Sequence, residues 1–139
     1  MRERKQKLIS YIEELKRRRW FQEMVEPQIT IYLNLERKTM YGCYRYKKRE
    51  ICVFGGGRSA EEIMETLLHE LAHHIEWFHV EGFIRERGCM HSRNFWTIYK
   101  RIHYDIPLSQ VVAGLEPYHP PGWRWKDKER AILEYVKEG

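Results

Sequence analysis

His69-Glu70-Leu71-Ala72-His73 reads His-Glu-x-x-His, a pattern whose spacing suits metal chemistry. On a helix, residues i and i+4 lie on one face about a turn apart, so His69 and His73 can grip one Zn²⁺ together. Glu70, one step round from His69, can then reach a water held at that ion and act as its general base. Two imidazoles are an incomplete set, because catalytic zinc usually takes three protein ligands and keeps a further position open. The downstream donors are His74, His79, Glu81, Glu86 and His91.

These donors differ in reach. His79 holds the third-histidine position of His-Glu-x-x-His-x-x-Gly-x-x-His, a pattern that needs its glycine to break the helix and swing the last histidine back. Here that glycine is Glu76, a good helix former. Along a continuing helix His79 points about 90° or more away from the pair and lies about 15 Å along the axis from His69. His74 is adjacent to His73 and points elsewhere, as a surface residue or one supporting a ligand would. His91 follows the small, flexible stretch Gly88-Cys89-Met90, and a helix hairpin can bring it back over the first pair.

The elements that must position these residues follow from hydrophobic periodicity. Ser59-Ala60-Glu61-Glu62 is a capping box and predicts a helix over 60–78. On it Ile63, Met64, Leu67, Leu71 and Ile75 gather on one side, while His69 and His73 project from the other with Glu62, Thr66 and Glu76. Gly55-Gly56-Gly57 turns the chain into that helix; with no Gly-Lys-Ser/Thr after it, it is not a phosphate loop. Upstream, Leu8, Tyr11, Ile12, Leu15 and Trp20 predict an amphipathic helix over 4–19. Beyond Pro27, residues 28–35, 39–46 and 50–54 read as strands, the last two forming a hairpin across Lys47-Lys48-Arg49. Downstream, His91 or Ser92 opens a second helix with Phe95, Ile98, Tyr99 and Ile102 as its buried stripe and Pro107 as its stop. Tyr118-His119-Pro120-Pro121-Gly122 is a stiff extended segment, and a last short helix follows over 126–137.

The order of elements predicts one α+β domain spanning 1–139, with 116–139 a C-terminal tail and short helix. Its expected parts are an N-terminal helix, a small three-stranded, mostly antiparallel sheet, the helix of His69 and His73, a second ligand-bearing helix and the short C-terminal one. A hydrophobic content of 42% excludes a disordered chain, and no apolar run approaches the roughly 20 residues of a membrane span. The N-terminus leads into an amphipathic stretch rather than a signal peptide, so the expected location is the cytoplasm. Cys43, Cys52 and Cys89 are too few and too scattered for a disulfide framework or a cysteine zinc knot. They read as reduced, partly buried thiols, with Cys43 and Cys52 facing each other, or nearly so, on adjacent strands.

Net charge is +5, with basic clusters over 2–7, 16–19, 45–49 and 124–128, several interleaved with aromatics. Such patches suit nucleic acid, DNA included, since cations neutralise phosphates and rings stack on bases. With 32% charged residues and 20 acids interspersed, a solvated surface accounts for much of the same pattern.

His91-Ser92-Arg93-Asn94-Phe95 resembles the His-Gly/Ser-x-x-Phe element that follows His-Glu-x-x-His in SprT-like metallopeptidases and their YgjP-like relatives. Tyr41-Gly42-Cys43-Tyr44 and Ile51-Cys52-Val53-Phe54 resemble the paired strands ahead of the active-site helix in the same group, so the likeness covers 29–102. Two departures stand out: Ser92 replaces the commoner glycine, and the four-cysteine zinc ribbon of many SprT-like proteins is absent.

The resemblance implies a minimal zincin-like domain and a zinc-dependent peptidase in which His69, His73 and His91 hold Zn²⁺, Glu70 is the general base and Phe95 is core. In the wider zincin group a protein or peptide substrate lies extended against an edge strand above the active-site helix, a part expected here of 50–54. Tyr99, Tyr104, Tyr118 and His119 are the side chains available to an oxyanion, and the segment 118–122 either lies over the cleft as a latency device or packs on the surface. Eukaryotic SprT-like relatives digest proteins crosslinked to DNA, which would fit a basic surface beside a protease cleft. The rival reading is a DNA-binding or scaffold module with a structural or vestigial metal, in which Glu70 has no task.

Overall fold

In this computed structural model, residues 2–80 and 91–115 are described. The expected tail over 116–139, with its short helix, and the donors Glu81 and Glu86 lie outside them. Eight elements follow in order: α1 (Arg2–Arg17), α2 (Arg19–Glu23), β1 (Gln28–Tyr32), β2 (Gly42–Arg45), β3 (Glu50–Phe54), α3 (Ala60–His79), α4 (Arg93–Arg101) and α5 (Leu108–Val111). No helix among the described residues is long and apolar enough to cross a membrane.

The fold is α+β as the element order predicts, but the sheet is mixed rather than mostly antiparallel. Its order is β1-β3-β2, with β3 parallel to β1 and antiparallel to β2. Residues 50–54 are therefore the central strand, not the edge expected of them. The physical reason lies in Ile51, Cys52, Val53 and Phe54, all four buried. A strand covered on both faces carries a continuous apolar run instead of alternation, and that run marks the middle of a sheet. The hairpin of β2 and β3 forms as expected and sets Cys43 opposite Cys52. Its turn places Arg49 at a φ of 53°, the left-handed region that a short hairpin loop often needs.

Helix α3 begins where its capping box says it should. Ser59 Oγ accepts from the Glu62 backbone N–H at 3.1 Å, and the Glu62 carboxylate accepts from the Ser59 N–H at 3.2 Å. Ile63, Leu67, Leu71 and Ile75 are buried toward the sheet and α1, joined in one core by Leu15, Trp20, Ile51, Val53, Phe95 and Ile98. The N-terminal helix has the predicted length but ends two residues earlier: Arg18 is extended (φ −64°, ψ 140°) and separates α1 from the one-turn α2. Helix α4 likewise ends at Arg101, before Pro107, which instead opens α5.

Several residues of the basic clusters serve this architecture. Arg4 donates to the carbonyls of Leu33, Gly55 and Arg58, each at 2.9 Å, and so clips α1 to the turn that leads into α3. Arg18 donates to the Ile102 carbonyl at 2.8 Å, and Arg19 engages Asp105 through backbone and side chain.

Candidate metal centre

Helix α3 carries its apolar side toward the sheet and its polar side toward a cleft of about 800 Å³, whose lining includes Glu62, Thr66, His69, Glu70, His73 and His91. One wall is β2 with the residues just before it, 39–41. Gly42 is what lets that wall come close. A Cβ there would stand 2.8 Å from Thr66 Cγ2 and 3.4 Å from Glu70 Cγ, so only glycine fits without displacement.

His69, His73 and His91 converge as predicted, with one ligand atom from each within 4.8 Å of the others. The Nε2 atoms of His69 and His91 are 2.9 Å apart. Around a tetrahedral zinc with bonds of about 2.0–2.1 Å, ligand nitrogens are about 3.3 Å apart, inside the range these donors span. The donor set fits a borderline-soft divalent cation: three imidazole nitrogens, with room on the cleft side for a further ligand.

Phe95 is the platform beneath the three rings. Its centroid lies 4.3 Å from that of His73, 4.7 Å from His91 and 4.9 Å from His69. It is fully buried, one turn into α4, whose start is set by Ser92 as N-cap accepting from the Phe95 N–H at 3.0 Å. Glu70 is buried on α3, between His69 and His73 in sequence and beside Gly42 of β2.

The other donors go elsewhere. His74 is fully buried, away from the surface position considered for it. Its Nε2 is bonded to the Val25 carbonyl and its Nδ1 lies 2.8 Å from the Tyr44 hydroxyl. A carbonyl only accepts, so Nε2 carries the proton and Nδ1 accepts from tyrosine. Burial pushes the pKa of His74 down to about 4, which keeps the ring neutral. His79 accepts the Val25 backbone N–H at 3.1 Å, and burial lowers its pKa too. The two histidines thus bracket Val25 and take no part in the cluster.

Of the tyrosines considered for an oxyanion, Tyr99 lines the cleft, with its ring centroid 6.1 Å from that of His69. Its pKa is raised, first by burial and then by the charge of Glu65. Tyr104 is 66% exposed and its carbonyl accepts from the Trp20 indole at 3.1 Å. Tyr118 and His119 lie outside the described residues.

The roles of three residues at the site were not legible in the sequence. Gly42 gave no signal beyond being a glycine in a strand, which hints at close backbone approach. Arg58 sits 4.2 Å over the Tyr41 ring and donates to Thr66 Oγ1 at 2.6 Å, bracing the cleft wall against α3. Glu76 is only 2% exposed and accepts from the Ser92 hydroxyl. Comparison with protein-family models, curated proteins and solved structures finds no match. On its geometry, this is a group of three histidines that could hold a metal ion, set in a cleft with a carboxylate alongside.

Proposed function

We propose that the chain is a zinc-dependent peptidase of the SprT-like and YgjP-like kind, with His69, His73 and His91 as ligands and Glu70 as general base. The observation that carries this reading is the convergence of three imidazoles from two segments beside the carboxylate of their own His-Glu-x-x-His motif. When bound, the ion supplies Lewis acidity, lowering the pKa of a water and polarising a carbonyl. Glu70 takes the proton from the attacking water and passes it to the departing amine.

The substrate strand is assigned to β2 rather than to β3. β2 ends the described sheet, and Gly42, Cys43 and Tyr44 line the cleft, so an extended peptide can pair along it above α3. The carboxylate of Glu65 lies on the cleft wall four residues before His69 and adds negative potential there. The ligand set also suits Mn²⁺ or Co²⁺.

The alternative, a DNA-binding module with a structural metal, draws on the basic clusters. Arg4, Arg18 and Arg19 already spend donors on backbone carbonyls or Asp105, which favours the peptidase. Glu70→Gln separates the two. Metal content should stay at the wild-type level while cleavage of an unstructured protein such as casein is lost. A Gln variant that cleaves at the wild-type rate refutes the assignment, and a wild type that binds metal but cleaves nothing favours the alternative.

A further inference from the structure

Glu76 has no place in the chemistry above, yet it is almost completely buried, 2% exposed, one turn beyond His73 on α3. Burying a carboxyl group is costly unless hydrogen bonds replace the water it loses. One of its partners is the Ser92 hydroxyl, which donates to Glu76 Oε2. Ser92 is the residue after His91 and the N-cap of α4. A serine hydroxyl has a single proton and spare lone pairs. The proton goes to Glu76, and a lone pair takes the Phe95 N–H at 3.0 Å.

That one oxygen therefore ties three things together: the active-site helix just past its second histidine, the backbone that carries the third, and the first turn of the helix that supplies Phe95. The dependence of the centre on this tie follows from where its ligands come from. His69 and His73 are fixed relative to each other by α3. His91 is exposed and reaches them from another segment, so its distance depends on how the start of α4 docks on α3. We propose that Glu76 is a positioning residue that holds His91 in reach of the metal through Ser92. This inference rests on the three histidines being ligands.

The experiment measures Zn²⁺ affinity of the full chain by competition with a chromophoric chelator, Co²⁺ absorption in the visible, and thermal unfolding with and without metal. The proteins are wild type, Glu76→Leu, Glu76→Gln, Ser92→Ala, the Glu76→Leu/Ser92→Ala double variant and His91→Ala. Loss of a partner that orients a ligand typically lowers metal affinity about 10- to 100-fold. Glu76→Leu and Ser92→Ala should each lose that much and alter the Co²⁺ spectrum, while the double variant loses no more than the worse single one. Glu76→Gln, whose amide oxygen still accepts from serine, should lie nearer wild type. Metal should also raise the unfolding temperature less in Glu76→Leu and Ser92→Ala than in wild type, because a merely structural glutamate would lower apo and metal-bound forms alike. Should Glu76→Leu fail to fold, Ser92→Ala carries the comparison.

Wild-type affinity and spectrum in Ser92→Ala overturn the proposal, as does a Glu76→Gln variant as impaired as Glu76→Leu. Failure of the underlying metal assignment has a different signature: wild type and His91→Ala would bind zinc equally.

Discussion

The close approach of β2 to α3 at Gly42 offers the sharpest test of how the cleft is built. An alanine Cβ would meet Thr66 Cγ2 at 2.8 Å and the Cys52 carbonyl oxygen at 2.9 Å, with Glu70 Cγ at 3.4 Å. Carbon contacts are most favourable at about 3.5–4.0 Å, so Gly42→Ala must lift the strand or turn Thr66. Overpacking of this sort costs about 1–3 kcal/mol, or about 3–10 °C in unfolding temperature for a domain of this size. No ligand is touched, so zinc affinity should change less than kcat, which depends on the wall and on Glu70. Thr66→Ser removes the clashing methyl and keeps the hydroxyl that accepts from Arg58 at 2.6 Å. The double variant should therefore regain part of the stability that Gly42→Ala loses, a coupling read from thermal unfolding of the four proteins in excess chelator. If Gly42→Ala unfolds within about 1 °C of wild type, or the two changes merely add, the packing argument is wrong.

Other outcomes follow from the same geometry. His91→Ala should lower zinc affinity by more than about 100-fold, beyond the loss of a supporting partner, whereas His79→Ala, whose ring accepts from Val25, should keep bound metal; equal metal content in both would contradict the ligand set. Tyr44→Phe withdraws the donor from the buried Nδ1 of His74 and should cost about 1–3 kcal/mol in urea unfolding, an unchanged midpoint counting against the tautomer assigned above. Burial, with help from the hydrogen bond to Glu50, pushes Cys52 up to about 11. At pH 8 its thiolate is then about one part in a thousand, so iodoacetamide should leave Cys52 unmodified in peptide maps until denaturant is added. Rapid labelling of the native protein would mean that the strand is more open than described.

The parts of this molecule that were legible in its sequence are those fixed by neighbours along the chain. The Ser59–Glu62 capping box locates the start of α3, the 3.6-residue rhythm of Ile63, Leu67, Leu71 and Ile75 gives its buried side, and Ser92 marks the start of α4. Cys43 against Cys52 followed from a local hairpin. The parallel pairing of β1 with β3 joins strands on either side of β2, and no local signal encodes it beyond the unbroken burial of 51–54. The same holds in the site. His69, Glu70 and His73 are set by helical spacing, and His91 was reachable through a motif resemblance. Gly42 and Glu76 matter through distances between elements, which composition and periodicity do not contain.

The two fastenings of α3 have a consequence for the empty protein. Near its beginning, Arg4 clips the first helix to the Gly55–Arg58 turn; near its end, His74 and His79 hold Val25 between them. Neither attachment involves His69, His73 or His91. The scaffold is thus self-supporting, unlike a zinc finger that collapses on chelation. Stripping the ion should leave far-ultraviolet dichroism almost unaltered, and reloading should proceed without refolding. Such a molecule takes up or gives off a metal with its architecture already standing.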